Sequence, residues 1–318
     1  MSKNPIIILI SGAAGQICYS LLPMIANGSV FGEDQPIILH LLDIPPGMEI
    51  LKGVQLELQD SCFPLIQNIL ITDDPSVAFV NIDVAILLGG FPRREGMNRD
   101  DLIAKNVPIF ESNGKYLNLH AKSSCKVLVV ANPANTNCLV TMRNAHKLNK
   151  KNFTCLTMLD HNRARGYLAN KLNKPLDNFD NVIVWGNHSK TQYPEYSQIN
   201  DPELSKINKE EFVKTIQFRG DEVIRLRKLS SAMSAARAIS DHLRIWLVDG
   251  TKDEEHTSLG VYSNGEYDLA KDIFFSLPCK CINNEYFVVD NLELSDDTKK
   301  ALKVSEEELL KEKEAINI

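Results

Sequence analysis

Three arginines stand close together in Phe91-Pro92-Arg93-Arg94-Glu95-Gly96-Met97-Asn98-Arg99, just past an apolar run, Val84–Leu88, that ends in Gly89-Gly90. Arginine keeps its charge and grips a carboxylate through two parallel hydrogen bonds. A further arginine, Arg163, follows an acid in Asp160-His161-Asn162-Arg163. Several arginines ask for several carboxylates, so the loop points to a small diacid. The plainer reading of Arg93-Arg94 is a solvated charged loop. His188 lies past the run Val182–Trp185, in Trp185-Gly186-Asn187-His188-Ser189. Histidine changes charge near neutral pH and is the natural proton shuttle. Asp160, earlier in the chain, is placed to hold its imidazole. Asp160 and Arg163 are one helical turn apart and project to the same side. The plainer readings are an i,i+3 ion pair and a structural loop histidine.

A second chemistry is written near the start. The run Ile6–Ile10 ends in Ser11-Gly12-Ala13-Ala14-Gly15-Gln16-Ile17-Cys18, which opens a helix. Glycines permit a tight turn and close backbone approach, and a helix N-terminus offers unpaired N–H groups to a pyrophosphate. The pattern is GxxG with small residues filling in, so an ordinary strand-helix turn competes with this reading. The next strand ends in Leu41-Leu42-Asp43-Ile44. An acid there can accept hydrogen bonds from an adenosine ribose diol. It would repel a 2′-phosphate, which favours NAD over NADP. Its distance from Gly15 exceeds the usual roughly 20 residues. The insertion Asn27–Gln35 absorbs the difference. The alternative for Asp43 is a strand-end turn acid.

These residues need elements to position them. The first half alternates short apolar runs with helical patterns. Strands are predicted at Ile6–Ile10, Ile37–Leu42, Ile69–Thr72, Val84–Leu88 and Val127–Val130. Helices are predicted at Gln16–Ala26, Met48–Asp60 and Asp100–Ala121. Such alternation, with strands apolar on both faces, is the mark of a doubly wound parallel sheet. The second half differs. A helix is expected from Asp160, a short strand at Val182–Trp185, and a long helical region from Lys209 to about Leu247. Two or three strands follow, with Asn264-Gly265 and Asn283-Asn284 as turns. The Lys- and Glu-rich segment Ser295–Ala315 reads as a solvated surface helix. The boundary is set where the alternation stops, giving domains at residues 1–153 and 154–318.

Composition narrows the field. In 318 residues, 44% are hydrophobic, enough for a substantial core, and the formal charge is −6. That balance argues against nucleic acid as a partner. No segment approaches the roughly 18 apolar residues of a membrane span. Seven cysteines, an odd number spread along the chain, fit free thiols in a reducing compartment. Cys279-Lys280-Cys281 would place two thiols on one face of a strand, where a redox pair is the alternative to plain packing. No metal is expected. The chain is expected in the cytosol.

Taken together, Phe91–Arg99, Asn132-Pro133-Ala134-Asn135-Thr136-Asn137, Leu159–Ala164 and Trp185–Ser189 resemble the malate dehydrogenases, closest to the eukaryotic cytosolic type. Gly12–Ile17 and Lys228–Ala236 match that group too, and the likeness runs through nearly the whole chain in family order. It implies a Rossmann-type NAD-binding domain followed by an α+β catalytic domain. His188 matches the proton acceptor and Asp160 its orienting carboxylate. Arg163 matches the arginine that grips the carboxylate beside the reacting carbon. Arg93 and Arg99 match lid arginines, with Arg93 at the position that selects a second carboxylate. Asn132 matches a residue touching both substrate and nicotinamide. Gly12, Ala13, Ala14, Gly15, Gln16, Ile17, Asp43, Asn106, Val130 and Ala131 match cofactor contacts. The resemblance implies malate and oxaloacetate as substrates, NAD as cofactor and a homodimer. Cys18, Phe91 and Asn113 depart from the family's usual residues, and Pro194–Asn208 is short for the cytosolic type. Within the same superfamily, lactate dehydrogenase differs mainly in lacking an arginine for a distal carboxylate. A non-catalytic nucleotide-binding protein on the same fold would be expected to lack His188, Asp160 or Arg163, and all three are present.

Overall fold

The computed structural model describes residues 3–92, 97 and 99–316. Two compact units divide the chain: residues 1–155 with 312–318, and residues 156–311.

In the first unit, β1 (Ile6–Ser11), α1 (Gln16–Ala26), β2 (Ile37–Leu42), α2 (Met48–Asp60) and β3 (Ile66–Thr72) form one run. A short α3 (Pro75–Ala78), β4 (Val84–Leu87), α4 (Arg99–His120), β5 (Lys126–Val129), α5 (Ala134–Arg143) and β6 (Phe153–Cys155) form the next. The six strands are parallel, in the order β3-β2-β1-β4-β5-β6. This is the doubly wound order, in which the sequence reverses direction between β1 and β4. The strands run apolar on both faces because helices cover both; Ile8, Leu9 and Ile10 are fully buried. Helix α2 buries Leu51, Val54 and Leu58 on one stripe, each contributing about 1.5–3 kcal/mol.

Helices α3 and α5 and strand β6 of this unit escaped the sequence reading. Helix α5 begins directly after Pro133 in an asparagine-rich stretch, yet residues 134–141 are all buried. Its polar side chains bond within the fold, so they hide the apolar periodicity. Strand β6 is too short to leave a pattern.

The second unit holds α6 (Met158–Leu172), β7 (Ile183–Trp185), β8 (Tyr193–Glu195), α7 (Lys209–Arg227) and α8 (Met233–Arg244). Then come β9 (Thr257–Tyr262), β10 (Phe274–Ile282), β11 (Glu285–Val288) and α9 (Asp296–Ala315), whose end from Glu312 onward belongs to the first unit. Strands β7 and β8 pair antiparallel, as do β9, β10 and β11. The hairpin between β10 and β11 turns at Asn283 and Asn284, both at positive φ, which asparagine tolerates well. A core of Ala164, Leu168, Phe179, Val182 and Phe212 fixes α6, with Tyr167 and Tyr196 edge-on to Phe212.

Two expectations are corrected here. The long helical region is two helices, interrupted where Lys228 takes a left-handed turn at φ 63°. The serines that follow compete for backbone hydrogen bonds and favour the break. The last helix is not wholly solvated. It buries Thr298, Leu302, Ser305, Leu309 and Glu312. Their spacing of three and four residues makes one buried stripe beneath a charged composition.

Candidate active site

The glycine loop is built by backbone contacts. Gly12 sits at φ +68°, and a Cβ there would lie 2.6 Å from Gly89 Cα. The loops after β1 and β4 therefore touch backbone to backbone, which only glycine allows at both positions. Gly15 is extended and caps α1 without any side-chain hydrogen bond. The first N–H groups of α1 thus point outward with a helix dipole behind them, the arrangement that suits a pyrophosphate. Asp43 Oδ2 accepts from Ala14 N at 2.8 Å, and Oδ1 from Ile44 N at 2.8 Å. The acid joins the end of β2 to the loop and remains half-buried. Past β5, the N–H groups of Val130 and Ala131 both donate to Leu87 O. Asn132 follows, exposed, before a cis peptide to Pro133.

Asn106, matched to a cofactor contact by the family likeness, is fully buried. Its Oδ1 accepts from Phe91 N at 2.8 Å, and its Nδ2 donates to the carbonyls of Phe91 and Leu102. These bonds fix the entry to the arginine loop. Of the loop's candidates, Arg93 lies outside the described residues, as do Arg94, Glu95, Gly96 and Asn98. Arg99 opens α4, where its Nε donates to Glu312 Oε1 at 2.5 Å. Thr136 donates to the other oxygen of that buried carboxylate. Glu312 left no signal in the sequence, being 213 residues from Arg99.

In the second unit, His188, Asp160 and Arg163 come together. Asp160, in the first turn of α6, is completely buried. Its Oδ2 accepts from His188 Nδ1 at 2.5 Å, and its Oδ1 from Arg163 Nη1 at 2.9 Å. Burial alone would push this carboxyl up. The charge and hydrogen bond of His188, the charge of Arg163 and a hydrogen bond from Gln192 outweigh it and hold the carboxyl below its usual range. Asp160 is therefore an anion, and whenever the imidazole of His188 is neutral it holds the remaining proton on Nδ1. Nε2 is then the ring atom that exchanges protons. Arg163 also donates to Ser231 Oγ at 3.2 Å.

The loop carrying His188 is held from several sides. Val184 N donates to Ser258 Oγ at 2.9 Å, and Ser276 Oγ donates to Val184 O at 2.6 Å. Gly186 exchanges two backbone bonds with Ser276. Gly186 is at φ +101°, and a Cβ there would lie 2.3 Å from Ser305 Oγ of α9. Ser305 Oγ accepts from Asn187 N at 2.7 Å, and Glu308 accepts from Asn187 Nδ2 at 2.9 Å. Sequence reasoning missed Gln192, Ser231, Ser305 and Glu308. Only the tight fit at Gly186 hints at them, and a sequence shows the glycine without its neighbour.

All seven cysteines are free thiols. Burial pushes Cys281 up to about 12 and Cys279 well above its ordinary range. Burial of both thiols favours plain packing over the redox-pair alternative.

Comparison with known proteins matches these features to one family. Residues 6–154 match the lactate/malate dehydrogenase NAD binding domain, and residues 157–317 the alpha/beta C-terminal domain of the same family. The cytoplasmic malate dehydrogenase of Rattus norvegicus is 50% identical over 98% of this chain and 97% of its own. A malate dehydrogenase structure from Naegleria fowleri superposes with a TM-score of 0.94 at 39% identity, covering 100% of this chain and 99% of that one. A Trichomonas vaginalis lactate dehydrogenase in complex with NADH and oxamate gives a TM-score of 0.90 at 36% identity, covering 98% of each. With a glycine loop at the sheet's reversal point and a buried acid–histidine pair in the second unit, the chain belongs to the lactate/malate dehydrogenase family of NAD-dependent oxidoreductases.

Proposed function

We propose that the chain is a malate dehydrogenase that interconverts (S)-malate and oxaloacetate with NAD. The observation that carries the chemistry is the bond of His188 Nδ1 to the buried, ionised Asp160, with Arg163 on the same carboxylate. Residues 1–153 are assigned to the cofactor and residues 154–318 to the substrate.

The loop geometry fits the dinucleotide. Gln16 and Ile17 would offer its pyrophosphate the first backbone N–H groups of α1, which has no side-chain cap, and Gly12, Ala13, Ala14 and Gly15 would form the loop it approaches, since Gly12 leaves no side chain. Asp43 would take the ribose diol. Val130, Ala131 and Asn132 would line the nicotinamide end, and Asn106 supports Phe91 behind it. Bound NAD supplies the hydride acceptor.

The protein's residues do the rest. Arg163 pairs with the carboxylate next to the carbinol carbon and orients it. His188 Nε2 takes the hydroxyl proton as the hydride leaves that carbon, so a carbonyl forms and the imidazole becomes charged. Asp160, already ionised, stabilises the imidazolium. In reverse, the charged imidazole returns its proton to the carbonyl oxygen. Arg93 and Arg99 are assigned to the distal carboxylate, whose presence separates a diacid from pyruvate.

The family includes lactate dehydrogenases, so substrate choice rests on Arg93. An arginine facing a methyl group would lose its partner, which disfavours a monoacid. The test is steady-state NADH oxidation with oxaloacetate and with pyruvate. The wild-type chain should use oxaloacetate with far the higher kcat/KM. Arg93→Gln should lower that value by roughly two to four powers of ten, the equivalent of about 3–5 kcal/mol. Pyruvate use should hold or rise, and Arg94→Gln should do much less. Equal losses on both substrates would remove Arg93 as the selector.

The cytoplasmic names of the relatives support a cytosolic location. A homodimer is proposed as well. Tyr19 on α1 and Ile50 and Leu56 on α2 stand exposed, apolar surface that a second copy would cover.

A further inference from the structure

We propose that Glu308 is a positioning residue for the reaction, acting by clamping the loop that carries His188. The proposal rests on the reading of His188 as the base.

One carboxylate oxygen of Glu308 receives hydrogen bonds from both sides of the histidine. Oε2 accepts from Asn187 Nδ2 at 2.9 Å, from Thr191 Oγ1 at 2.7 Å and from Ser189 Oγ. Each hydroxyl has one hydrogen to give. With Thr191 and Ser189 both donating to Glu308, the 3.0 Å contact of Thr191 Oγ1 with Ser305 Oγ must run from Ser305. Ser305 in turn accepts from Asn187 N at 2.7 Å. The result is a chain, Asn187 N to Ser305 to Thr191 to Glu308, in which the 2.9 Å contact of Ser189 Oγ with Thr191 Oγ1 carries no hydrogen of its own. Hydrogen bonds to a charged acceptor are roughly twice as strong as neutral ones. A single anion thus draws residues 187, 189 and 191 together and fixes the backbone on either side of position 188.

Asp160 sets the orientation of the imidazole through Nδ1, but it does not set where the loop stands. The backbone bonds of Gly186 to Ser276 fix the loop's entry. From Asn187 onward, the polar side chains that face Glu308 and Ser305 carry it. An acid in this place is hard to explain as a surface charge. Three consecutive glutamates occur here, and they differ. Glu306 is buried and accepts from Ala270 N and Lys303 Nζ. Glu307 is exposed. Glu308 alone of the three reaches the histidine loop.

The experiment is a double-mutant cycle on the full chain. Glu308→Gln keeps the shape but places an amide hydrogen-bond donor among donors. It should lower kcat for oxaloacetate by about 10- to 100-fold, as loss of an outer residue that orients a reacting group does. KM for oxaloacetate and the NADH dissociation constant should stay near wild type, because Arg163 and the glycine loop are untouched. Glu307→Gln should leave kcat unchanged. In a His188→Ala background, Glu308→Gln should cause no further loss of the residual rate, since the clamp acts only through the histidine. If Glu308→Gln does not fold, Thr191→Val removes one donor without stranding a charge and should show the same pattern with a smaller loss. An undiminished kcat in the clamp variants would overturn the proposal. So would losses that multiply fully with His188→Ala, which would mark a general structural role. If His188→Ala itself kept wild-type turnover, the assignment of the base would fall and this proposal with it.

Discussion

The glycine loop and the histidine loop solve the same problem, holding reactive groups in one geometry, by opposite means. The glycine loop is made of main chain. Its shape follows from Gly12 at positive φ, the contact with Gly89 and the bare N-terminus of α1. The histidine loop is made of side chains from far along the sequence. Asp160 precedes His188 by 28 residues, and Glu308 follows Ser189 by 119. A backbone site fails when a side chain intrudes, whereas a side-chain site fails when one partner is removed. That contrast makes the two regions vulnerable to different changes.

The largest effect is expected in the histidine loop. Asp160→Asn keeps the size of the side chain but can present an N–H to Nδ1, which selects the wrong tautomer of His188. It also leaves Arg163 without its carboxylate. Turnover in both directions should fall by about two to four powers of ten, the usual contribution of a positioned acid–base group. NADH should still bind, because the glycine loop lies elsewhere in the chain. Titration of NADH fluorescence alongside steady-state rates separates the two. A loss of NADH binding equal to the loss of rate would mean that the two regions are not independent.

The glycine loop should break the other way. Gly12→Ala puts a Cβ 2.6 Å from Gly89 Cα in a left-handed conformation. The strained φ alone costs about 1–3 kcal/mol, and the clash adds to it. NADH binding should weaken by at least about tenfold for each 1.4 kcal/mol that falls on the bound state. Fluorescence titration and urea unfolding check this together. An unchanged dissociation constant would show that the loop does not approach the cofactor closely.

The same contrast explains what could be read from the sequence. Strands β1 and β2, helix α1 and Asp43 were legible because local periodicity, a glycine pattern and strand-end placement determine them. The cluster of His188, Asp160 and Arg163 was legible through residue types and family likeness. The supports of the cluster were not. Ser305 and Glu308 sit in a helix whose composition is that of a solvated surface, and only packing reveals its buried stripe. Asn106 stands at a cofactor position by family likeness, and its hydrogen bonds to Phe91 and Leu102 are a support that no local pattern announces. Glu312 was invisible for the same reason as Glu308: its partner, Arg99, lies across most of the chain. Local patterns specify elements, and tertiary hydrogen bonds specify how a site is held.

The central claim is that His188, kept in one tautomer by ionised Asp160, is the group that gives and takes the proton. The most direct test is the pH dependence of kcat/KM in both directions on the wild-type chain. Oxaloacetate reduction needs the imidazole charged, so its rate should fall as pH rises across the assay interval. Malate oxidation needs it neutral, so its rate should rise over the same interval. The depressed carboxyl of Asp160 stays ionised throughout that interval and should add no limb there. His188→Ala should abolish both limbs along with most of the activity. Limbs of the same sign in the two directions, or profiles that persist in His188→Ala, would contradict the account.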